Sequence, residues 1–368
     1  MDGCGRASLS VIAHIDPGGF LKALYKSGPH AGFEYTDRPV PEPGAHDVLI
    51  RVHMAGICGT DLHIEAYDQA AQDMIAPPMI PGHEFYGEVV KTGDYVKDVK
   101  VGDRVSGEGH VVCGMCRNCR AGRRQMCIRT QSVGVQRDGA FAEYVVIPES
   151  NVWVHTDDFV TPELGAIFDP LGNATHTALL NNLVGEDVLI TGAGPIGLMS
   201  AAIARHAGAR KIVVTDLNEE RLKLVEGMGA DAGVLAGKEK ISDVQRRLGM
   251  NEGFDVGLEI SGAQPALSEM IENMNHGGRI ALLGLPNGAW SVDGGRIVTR
   301  MLTLQGVYGR EMYETWYAMT AMLQTDELFR ERITSVISDV VPASEWREAF
   351  DIARSGQRGK VLLDWRNV

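Results

Sequence analysis

Hydrophobic positions follow two different patterns along the chain. From about residue 20 to residue 150, short β-patterned segments such as DVLIRVHMAG, GEVVKTG and AFAEYVVIP are separated by turns rich in Gly and Pro. This pattern predicts an all-β, barrel-like unit. From Glu163 onward, aliphatic strands alternate with helical segments, which predicts a parallel α/β sheet. Near the end, YETWYAMTAMLQ and SEWREAFDIARSG predict helices and KVLLDW predicts a closing strand.

Length and composition narrow the class of protein. A chain of 368 residues is long for one hydrophobic core, so we expect two domains. The net charge of −13 argues against a nucleic-acid binder. The longest apolar run, residues 188–204, is interrupted by Gly and Pro and predicts a buried strand and helix rather than a membrane span. Residues 1–19 do not match a signal peptide, and we interpret them as an N-terminal extension.

Cysteine spacing predicts a structural metal site. Without a secretory signal the compartment is expected to be reducing and cytoplasmic, which favours metal over disulfide for clustered thiols. The segment CGMCRNCRAGRRQMC has the spacing C-x2-C-x2-C-x7-C, at Cys113, Cys116, Cys119 and Cys127. Four thiolates close a tetrahedral Zn²⁺ shell and leave no position for catalysis. An iron–sulfur cluster shares the first three spacings, but the last interval is longer and no proline follows.

A glycine-rich turn predicts a dinucleotide site. In LITGAGPIG, Gly192, Gly194 and Gly197 have G-x-G-x-x-G spacing between a predicted strand and a predicted helix. Asp216 ends the next predicted strand, where a carboxylate accepts hydrogen bonds from the adenosine ribose. An acid at this position favours NAD over NADP, although Arg221 nearby is able to accommodate a 2′-phosphate.

A second set of residues predicts a catalytic metal. Cys58 in GICGTDLHI stands apart from the four-cysteine segment, and PGHEF supplies His83 and Glu84 about 25 residues later. A catalytic zinc needs about three protein ligands and an exchangeable position. Cys58 and His83 plus one carboxylate meet that count, and both Glu84 and Asp169 are candidates for the third ligand. Asp61 is interpreted as a turn or cap residue.

These motifs, together with GDRV and the terminal GKVLLDW, resemble the zinc-dependent medium-chain alcohol dehydrogenases over nearly the whole chain after residue 20. The resemblance implies an α/β fold in which a GroES-like, β-rich catalytic domain is combined with a Rossmann domain containing a doubly wound parallel sheet. The expected boundaries are 20–170 for the catalytic domain, completed by 317–368, and 171–316 for the NAD-binding domain.

The resemblance also implies roles for individual residues. Cys58, His83 and Glu84 would hold the catalytic zinc, Thr60 and His63 would relay a proton, and Asp169 would tune the site without being a firm ligand. The residues expected around NAD, besides the three glycines, are Ile196, Asp216, Arg221, Leu283, Gly284, Leu285, Val307 and Tyr308. Arg310 is a candidate for meeting a substrate carboxylate. The chain departs from the family pattern after His63, where EAYDQAAQDM stands in place of an Asn-Trp pair.

The longest matching motifs, such as FDPLGNATHTAL and YGREMYETWY, imply oxidation of L-threonine at its 3-hydroxyl to 2-amino-3-oxobutanoate, with zinc assisting hydride transfer to NAD. A homotetramer and a downstream 2-amino-3-oxobutanoate CoA ligase are the partners implied. A polyol or 2,3-butanediol dehydrogenase is the alternative on the same scaffold. A zinc-ribbon binding protein and a zinc-free quinone-reductase-like enzyme are more remote alternatives.

Overall fold

The computed structural model describes residues 19–286 and 288–368. The expected N-terminal extension therefore lies outside the described residues, apart from Gly19. No helix in the described part of the chain is both long and apolar enough to cross a membrane.

The first half of the chain is rich in short strands, as predicted. They are β1 (Phe20–Tyr25), β2 (Glu34–Pro39), β3 (Asp47–Gly56), β4 (Glu84–Thr92), β5 (Arg104–Gly107), β6 (His110–Val111), β7 (Gln131–Ser132), β8 (Tyr144–Pro148) and β9 (Val152–Val154). The helices among and after them are α1 (Gly59–Ala66), α2 (Gln69–Met74), α3 (Arg117–Arg120), α4 (Pro162–Ala166) and α5 (Phe168–Leu179). Strands β1 and β2 form a hairpin, β6 pairs with β7, and the other five enter a larger sheet.

The middle of the chain forms a six-stranded parallel sheet in the order β12-β11-β10-β13-β14-β15. Its strands are β10 (Asp187–Thr191), β11 (Lys211–Asp216), β12 (Ala232–Leu235), β13 (Phe254–Glu259), β14 (Met274–Leu282) and β15 (Thr303–Gly306). The helices between them are α6 (Pro195–His206), α7 (Glu219–Leu222), α8 (Ile241–Arg247), α9 (Gln264–Asn273) and α10 (Gly294–Thr299). All five residues of β10 are buried, because a central parallel strand is covered on both faces.

The last part of the chain returns to the first sheet. Its elements are α11 (Glu314–Thr325), α12 (Glu327–Ser335), β16 (Ile337–Pro342), α13 (Trp346–Ser355) and β17 (Lys360–Asp364). The larger sheet has the order β16-β17-β3-β4-β5-β9, with β8 also pairing with β3. The expected domain boundaries at residues 170/171 and 316/317 fall inside α5 and α11, and they stay predictions.

Separate hydrophobic clusters stabilise the two sheets. One cluster contains the buried side chains of β3, β4 and α13, and Phe85, Phe141 and Phe350 are among its largest members. Two others cover the opposite faces of the parallel sheet. Because the carboxyl ends of all six parallel strands lie at one edge, the loops that follow them converge there.

Candidate active site

Strand register brings the catalytic-metal candidates together. Strands β3 and β4 are antiparallel, and Gly56 at the end of β3 lies opposite Glu84 at the start of β4. Cys58 follows β3 as the N-cap of α1, and His83 directly precedes Glu84. One potential ligand atom from each of Cys58, His83 and Glu84 lies within 4.8 Å of the other two. The structure thus groups these three predicted ligands.

Two glycines make room for this cluster. Gly82 has φ +94° immediately before His83, and a Cβ there would lie 2.5 Å from Phe141 Cδ1. A Cβ on Gly56 would lie 2.3 Å from Glu84 Oε2. Both positions therefore require glycine, the first for its backbone conformation and both for close packing.

Asp61 caps α1, as predicted, and also contacts a metal ligand. Its Oδ2 accepts a hydrogen bond of 2.8 Å from the backbone N–H of Cys58. Its Oδ1, which is buried and has no hydrogen-bond partner, lies 3.7 Å from His83 Nδ1. His83 Nδ1 is likewise buried without a hydrogen-bond partner, so the two groups interact through their charges rather than through a hydrogen bond.

The buried charges around the cluster fit a divalent cation. Four buried carboxylates lie in this region, and among the described residues only two buried cations form ion pairs with them. The carboxylates are Asp61, Glu84, Glu108 and Asp169, and the cations are Lys360 and Arg310. Burial acts to lower the pKa of His83, yet Asp61, Cys58 and Asp169 together raise it to about 10. The cluster therefore attracts positive charge, and its thiol, imidazole and carboxylate donors are those that zinc prefers.

Asp169 belongs to a neighbouring ion-pair network. It lies in the first turn of α5, and its Oδ2 is 2.7 Å from Nη2 of Arg310. Arg310 also donates to both carboxylate oxygens of Glu108, at 2.8 and 2.6 Å. Because the Arg310 side chain is buried and already neutralised, the structure does not present it to a substrate carboxylate, contrary to the sequence-based suggestion. His110, to which the sequence assigned no role, hydrogen-bonds through Nδ1 with Glu108 Oε1 at 2.8 Å.

The predicted proton-relay residues share helix α1. Thr60 Oγ1 lies 3.9 Å from Cys58 Sγ, and the side chain is partly buried. His63, three residues later and on the same side of the helix, is exposed and hydrogen-bonds through Nδ1 with Asp68 Oδ2 at 2.6 Å. Asp68 also caps α2, so the segment that departs from the family pattern supplies a partner for the histidine.

The four predicted structural cysteines are also grouped, with one ligand atom from each within 4.8 Å of the others. Cys116 Sγ is 3.5 Å from Cys119 Sγ, and Cys127 Sγ is 3.6 Å from Cys113 Sγ. Zinc–sulfur bonds of about 2.3 Å in a tetrahedron require sulfurs roughly 3.8 Å apart, so the four thiols fit a zinc ion.

The glycine-rich turn lies between β10 and α6, as predicted. Gly192 has φ +96°, and a Cβ on Gly197 would lie 1.8 Å from the carbonyl oxygen of Gly192. The turn is therefore too tight for any other residue at Gly197, and it leads the backbone toward the N-terminus of α6. Backbone N–H groups at that position favour phosphate binding.

Asp216 stands beside this turn at the end of β11. Its Oδ2 accepts a hydrogen bond of 2.6 Å from Ala193 N, and its Oδ1 accepts one of 2.8 Å from Asn218 N. Arg221 Nη1 lies 3.8 Å from Asp216 Oδ2, which partly neutralises the arginine. A cavity of about 720 Å³ opens here, lined by residues that include Gly192, Gly194, Ile196, Asp216, Arg221 and Ser261.

The remaining nucleotide-site candidates follow the next strands of the sheet. Leu283, Gly284 and Leu285 come after β14, and Val307 and Tyr308 come after β15. They lie at the same edge of the sheet as the glycine-rich turn, although none of them lines the 720 Å³ cavity. Tyr308 and Leu285 are 60% and 85% exposed, whereas Val307 is buried.

Sequence reasoning missed Lys360, Glu108 and the pairing role of Asp68. Lys360 and Glu108 are charged residues next to apolar strand segments, but no spacing relates either of them to the metal ligands. Asp68 carried a local signal, since an aspartate before a helical segment is a common N-cap.

Comparisons with known proteins agree with this geometry. Residues 44–157 match the alcohol dehydrogenase GroES-like domain and residues 195–325 match the zinc-binding dehydrogenase family. L-threonine 3-dehydrogenases from Saccharopolyspora erythraea and Streptomyces coelicolor are 54% and 56% identical over 345 residues, which cover 94% of this chain and 99% of each relative. The crystal structure of a putative zinc-binding dehydrogenase from Sinorhizobium meliloti bound to NADP is 28% identical, covers 94% of this chain and 99% of its own, and has a TM-score of 0.84.

These matches confirm the predicted fold class, a GroES-like domain combined with a Rossmann parallel sheet. They extend over nearly all of the described residues, and the two cysteine-containing clusters lie within the matched length. The chain belongs to the L-threonine 3-dehydrogenases, within the zinc-containing medium-chain alcohol dehydrogenase family.

Proposed function

We propose that the protein catalyses the NAD-dependent oxidation of L-threonine at its 3-hydroxyl to 2-amino-3-oxobutanoate. The observation that carries the proposal is the presence of a complete Cys58–His83–Glu84 cluster in a chain more than 50% identical to L-threonine 3-dehydrogenases over almost its full length. The nucleotide cradle of the parallel sheet supplies the second element that such a reaction needs.

Cys58, His83 and Glu84 would hold the catalytic zinc, and the four clustered cysteines would hold a structural one. We favour Glu84 over Asp169 as the third ligand, because a carboxylate oxygen of Glu84 lies within 4.8 Å of the ligand atoms of Cys58 and His83, and Asp169 is not part of that group. When bound, zinc lowers the pKa of the substrate hydroxyl and NAD accepts the hydride. Asp61 places a buried carboxylate 3.7 Å from His83 Nδ1, and Asp169 and Glu108 contribute negative charge that Arg310 balances.

The proton released from the substrate hydroxyl requires a route to solvent. Thr60 Oγ1 lies beside Cys58 Sγ and would accept this proton first. His63 is exposed on the same side of α1 and would deliver the proton to water as a general base. The Asp68 carboxylate, 2.6 Å from His63 Nδ1, orients the His63 ring.

The coenzyme would bind with its pyrophosphate at Gly192–Gly197 and its adenosine ribose at Asp216. We favour NAD over NADP because the Asp216 carboxylate repels a 2′-phosphate, and because Arg221, the nearest cation, is close enough to Asp216 to share its charge.

The test is the absorbance of NADH formed by zinc-loaded protein with L-threonine, D-threonine, sorbitol and 2,3-butanediol offered in parallel. We expect turnover on L-threonine and its loss in Cys58→Ser. Val340→Ala, on the exposed side of β16, is the control and should keep wild-type turnover. Higher turnover on sorbitol or 2,3-butanediol than on L-threonine would replace the proposal with the polyol alternative.

We further propose that the protein is a homotetramer. Strand β15 is the edge of the six-stranded sheet, and exposed apolar residues stand near it, among them Val298 and Met301, which are 76% and 80% exposed. An open strand edge with apolar neighbours favours pairing with another copy. Light scattering should give the mass of four 39.9 kDa chains, and Met301→Glu should reduce it.

The product and the thiol ligands suggest the cellular setting. A 2-amino-3-oxobutanoate product is a β-keto acid that loses carbon dioxide readily, so a 2-amino-3-oxobutanoate CoA ligase is the proposed downstream partner. We propose a reducing, cytoplasmic location because the zinc sites need free thiols, and the five described cysteines are not disulfide-bonded. Loss of carbon dioxide from 2-amino-3-oxobutanoate gives aminoacetone. Adding the ligase and CoA to the threonine assay should therefore suppress formation of aminoacetone.

A further inference from the structure

A buried lysine reaches the metal cluster from the other end of the chain. Lys360, the first residue of β17, is 4% exposed. Its Nζ lies 2.5 Å from Glu84 Oε2 and donates a hydrogen bond of 2.9 Å to the carbonyl oxygen of Ile57. The lysine therefore contacts one proposed zinc ligand directly and the backbone just before another, Cys58.

The sheet holds this lysine in place. Strand β17 is antiparallel to β3, with Leu362 opposite Gly56. A Cβ on Gly56 would lie 2.3 Å from Glu84 Oε2 and 3.2 Å from Lys360 Cε, so the ammonium and the carboxylate pack directly against the glycine. The contact depends on strand register, and both partners are buried.

The position of the ammonium has two consequences for a metal at the cluster. An ammonium on Oε2 leaves Oε1 as the Glu84 oxygen that is free to bind a metal, so Glu84 would act as a monodentate ligand. A positive charge close to a second cation also repels it, and in buried surroundings this repulsion is weakly screened. Catalysis requires an exchangeable metal position, which a bidentate carboxylate would fill.

We propose that Lys360 is a positioning residue of the catalytic metal site, which restricts Glu84 to one oxygen and limits the affinity of the site for zinc. The inference rests on the proposed function only in taking Cys58, His83 and Glu84 as the ligands of a catalytic metal. It gives the C-terminal strand β17 a role in the active site, because Lys360 contacts Glu84, which lies 276 positions earlier in the sequence.

The experiment measures zinc affinity without substrate. Catalytic-site zinc is removed with a chelator and titrated back in competition with a chromophoric chelator, and the visible spectrum is recorded after Co²⁺ is added instead. In Lys360→Met, whose side chain has similar length and no charge, we expect zinc to bind at least about tenfold more tightly. The Co²⁺ absorption should weaken, because a second Glu84 oxygen raises the coordination number.

Two further variants separate positioning from a merely structural role. Lys360→Arg keeps the charge and should bind zinc within about threefold of the wild type. Lys26→Met is the matched control, because Lys26 is also fully buried but its Nζ donates to the backbone carbonyls of His30, Gly32 and Glu65 rather than to a metal ligand. It should leave zinc affinity and the Co²⁺ spectrum unchanged.

Equal or weaker zinc binding by Lys360→Met than by the wild type would overturn the inference, as would an equal gain in Lys26→Met. If Lys360→Met does not fold, Lys360→Gln replaces it, because it also removes the charge, and it should show the same gain in zinc affinity and the same weakening of the Co²⁺ absorption; the absence of both changes would also overturn the inference. The proposed function is tested separately by wild-type turnover on L-threonine, so failure of one does not resemble failure of the other.

Discussion

Removing the charge of Arg310 should destabilise the protein severely. The guanidinium is 1% exposed and lies between two buried carboxylates, those of Glu108 and Asp169. Arg310→Met keeps an unbranched apolar side chain of similar reach but leaves both carboxylates without their cation. The Trp316 ring, whose centroid is 6.0 Å from the guanidinium carbon, provides a fluorescence probe of this region.

The magnitude follows from what the two carboxylates lose. Breaking a buried ion pair by removing one partner costs about 3–5 kcal/mol, since the remaining charge is buried and unpaired. Burial acts to raise the pKa of Glu108, but Arg310 and His110 lower it to about 2, so this group stays ionised in the fold. Burial raises the pKa of Asp169, so that group is able to take up a proton and reduce its part of the cost. We therefore expect a loss of about 4 kcal/mol in the free energy of unfolding.

The assay is urea unfolding of the zinc-loaded protein, followed by tryptophan fluorescence and by circular dichroism. Arg310→Met with Glu108→Gln should recover about half of the loss, because one unpaired charge is removed. Arg354→Gln is the control: its ion pairs with Asp351 and Glu65 involve a side chain that is 48% exposed, and it should cost less than about 1 kcal/mol. A loss in Arg310→Met no larger than that of the control would refute the reasoning.

Four other predictions concern single residues. Burial lowers the pKa of His155 to about 3, so between pH 6.5 and pH 3 the unfolded chain binds a proton that the folded protein does not. The free energy of unfolding should therefore fall by about 1.4 kcal/mol for each pH unit below 6.5. In His155→Gln, the dependence of the free energy of unfolding on pH should be smaller by one proton. His63→Ala should lower kcat about 100-fold at pH 7 and recover with added imidazole, and a lack of both effects would exclude the relay. Asp216→Asn should reduce the preference for NAD over NADP at least about tenfold, measured as the ratio of kcat/KM values. Cys119→Ser should lose one zinc ion per chain by metal analysis while Cys58 still binds the other, and retention of both ions would contradict the structural site.

The sequence alone predicted those features whose chemistry is local. The spacing of the four cysteines defines a zinc site within fifteen positions, and the three glycines of the dinucleotide turn follow a strand and precede a helix in adjacent positions. Alternation of strands and helices likewise predicted the parallel sheet, because periodicity is set by neighbours in the chain. Cys58, His83 and Glu84 were recognisable through motifs, although their assembly depends on the pairing of β3 with β4.

Tertiary structure decided the features that join distant segments. The choice between Glu84 and Asp169 as a ligand candidate depends on which carboxylate the pairing of β3 with β4 brings to Cys58 and His83. Lys360 reaches Glu84 because β17 is registered against β3, and Asp61 faces His83 because α1 begins beside the start of β4. Charged residues at these positions carry no local signature, since an isolated Lys, Arg or Glu is ordinarily solvated. Only the packing of the strands removes them from water and forces each to find its counter-charge.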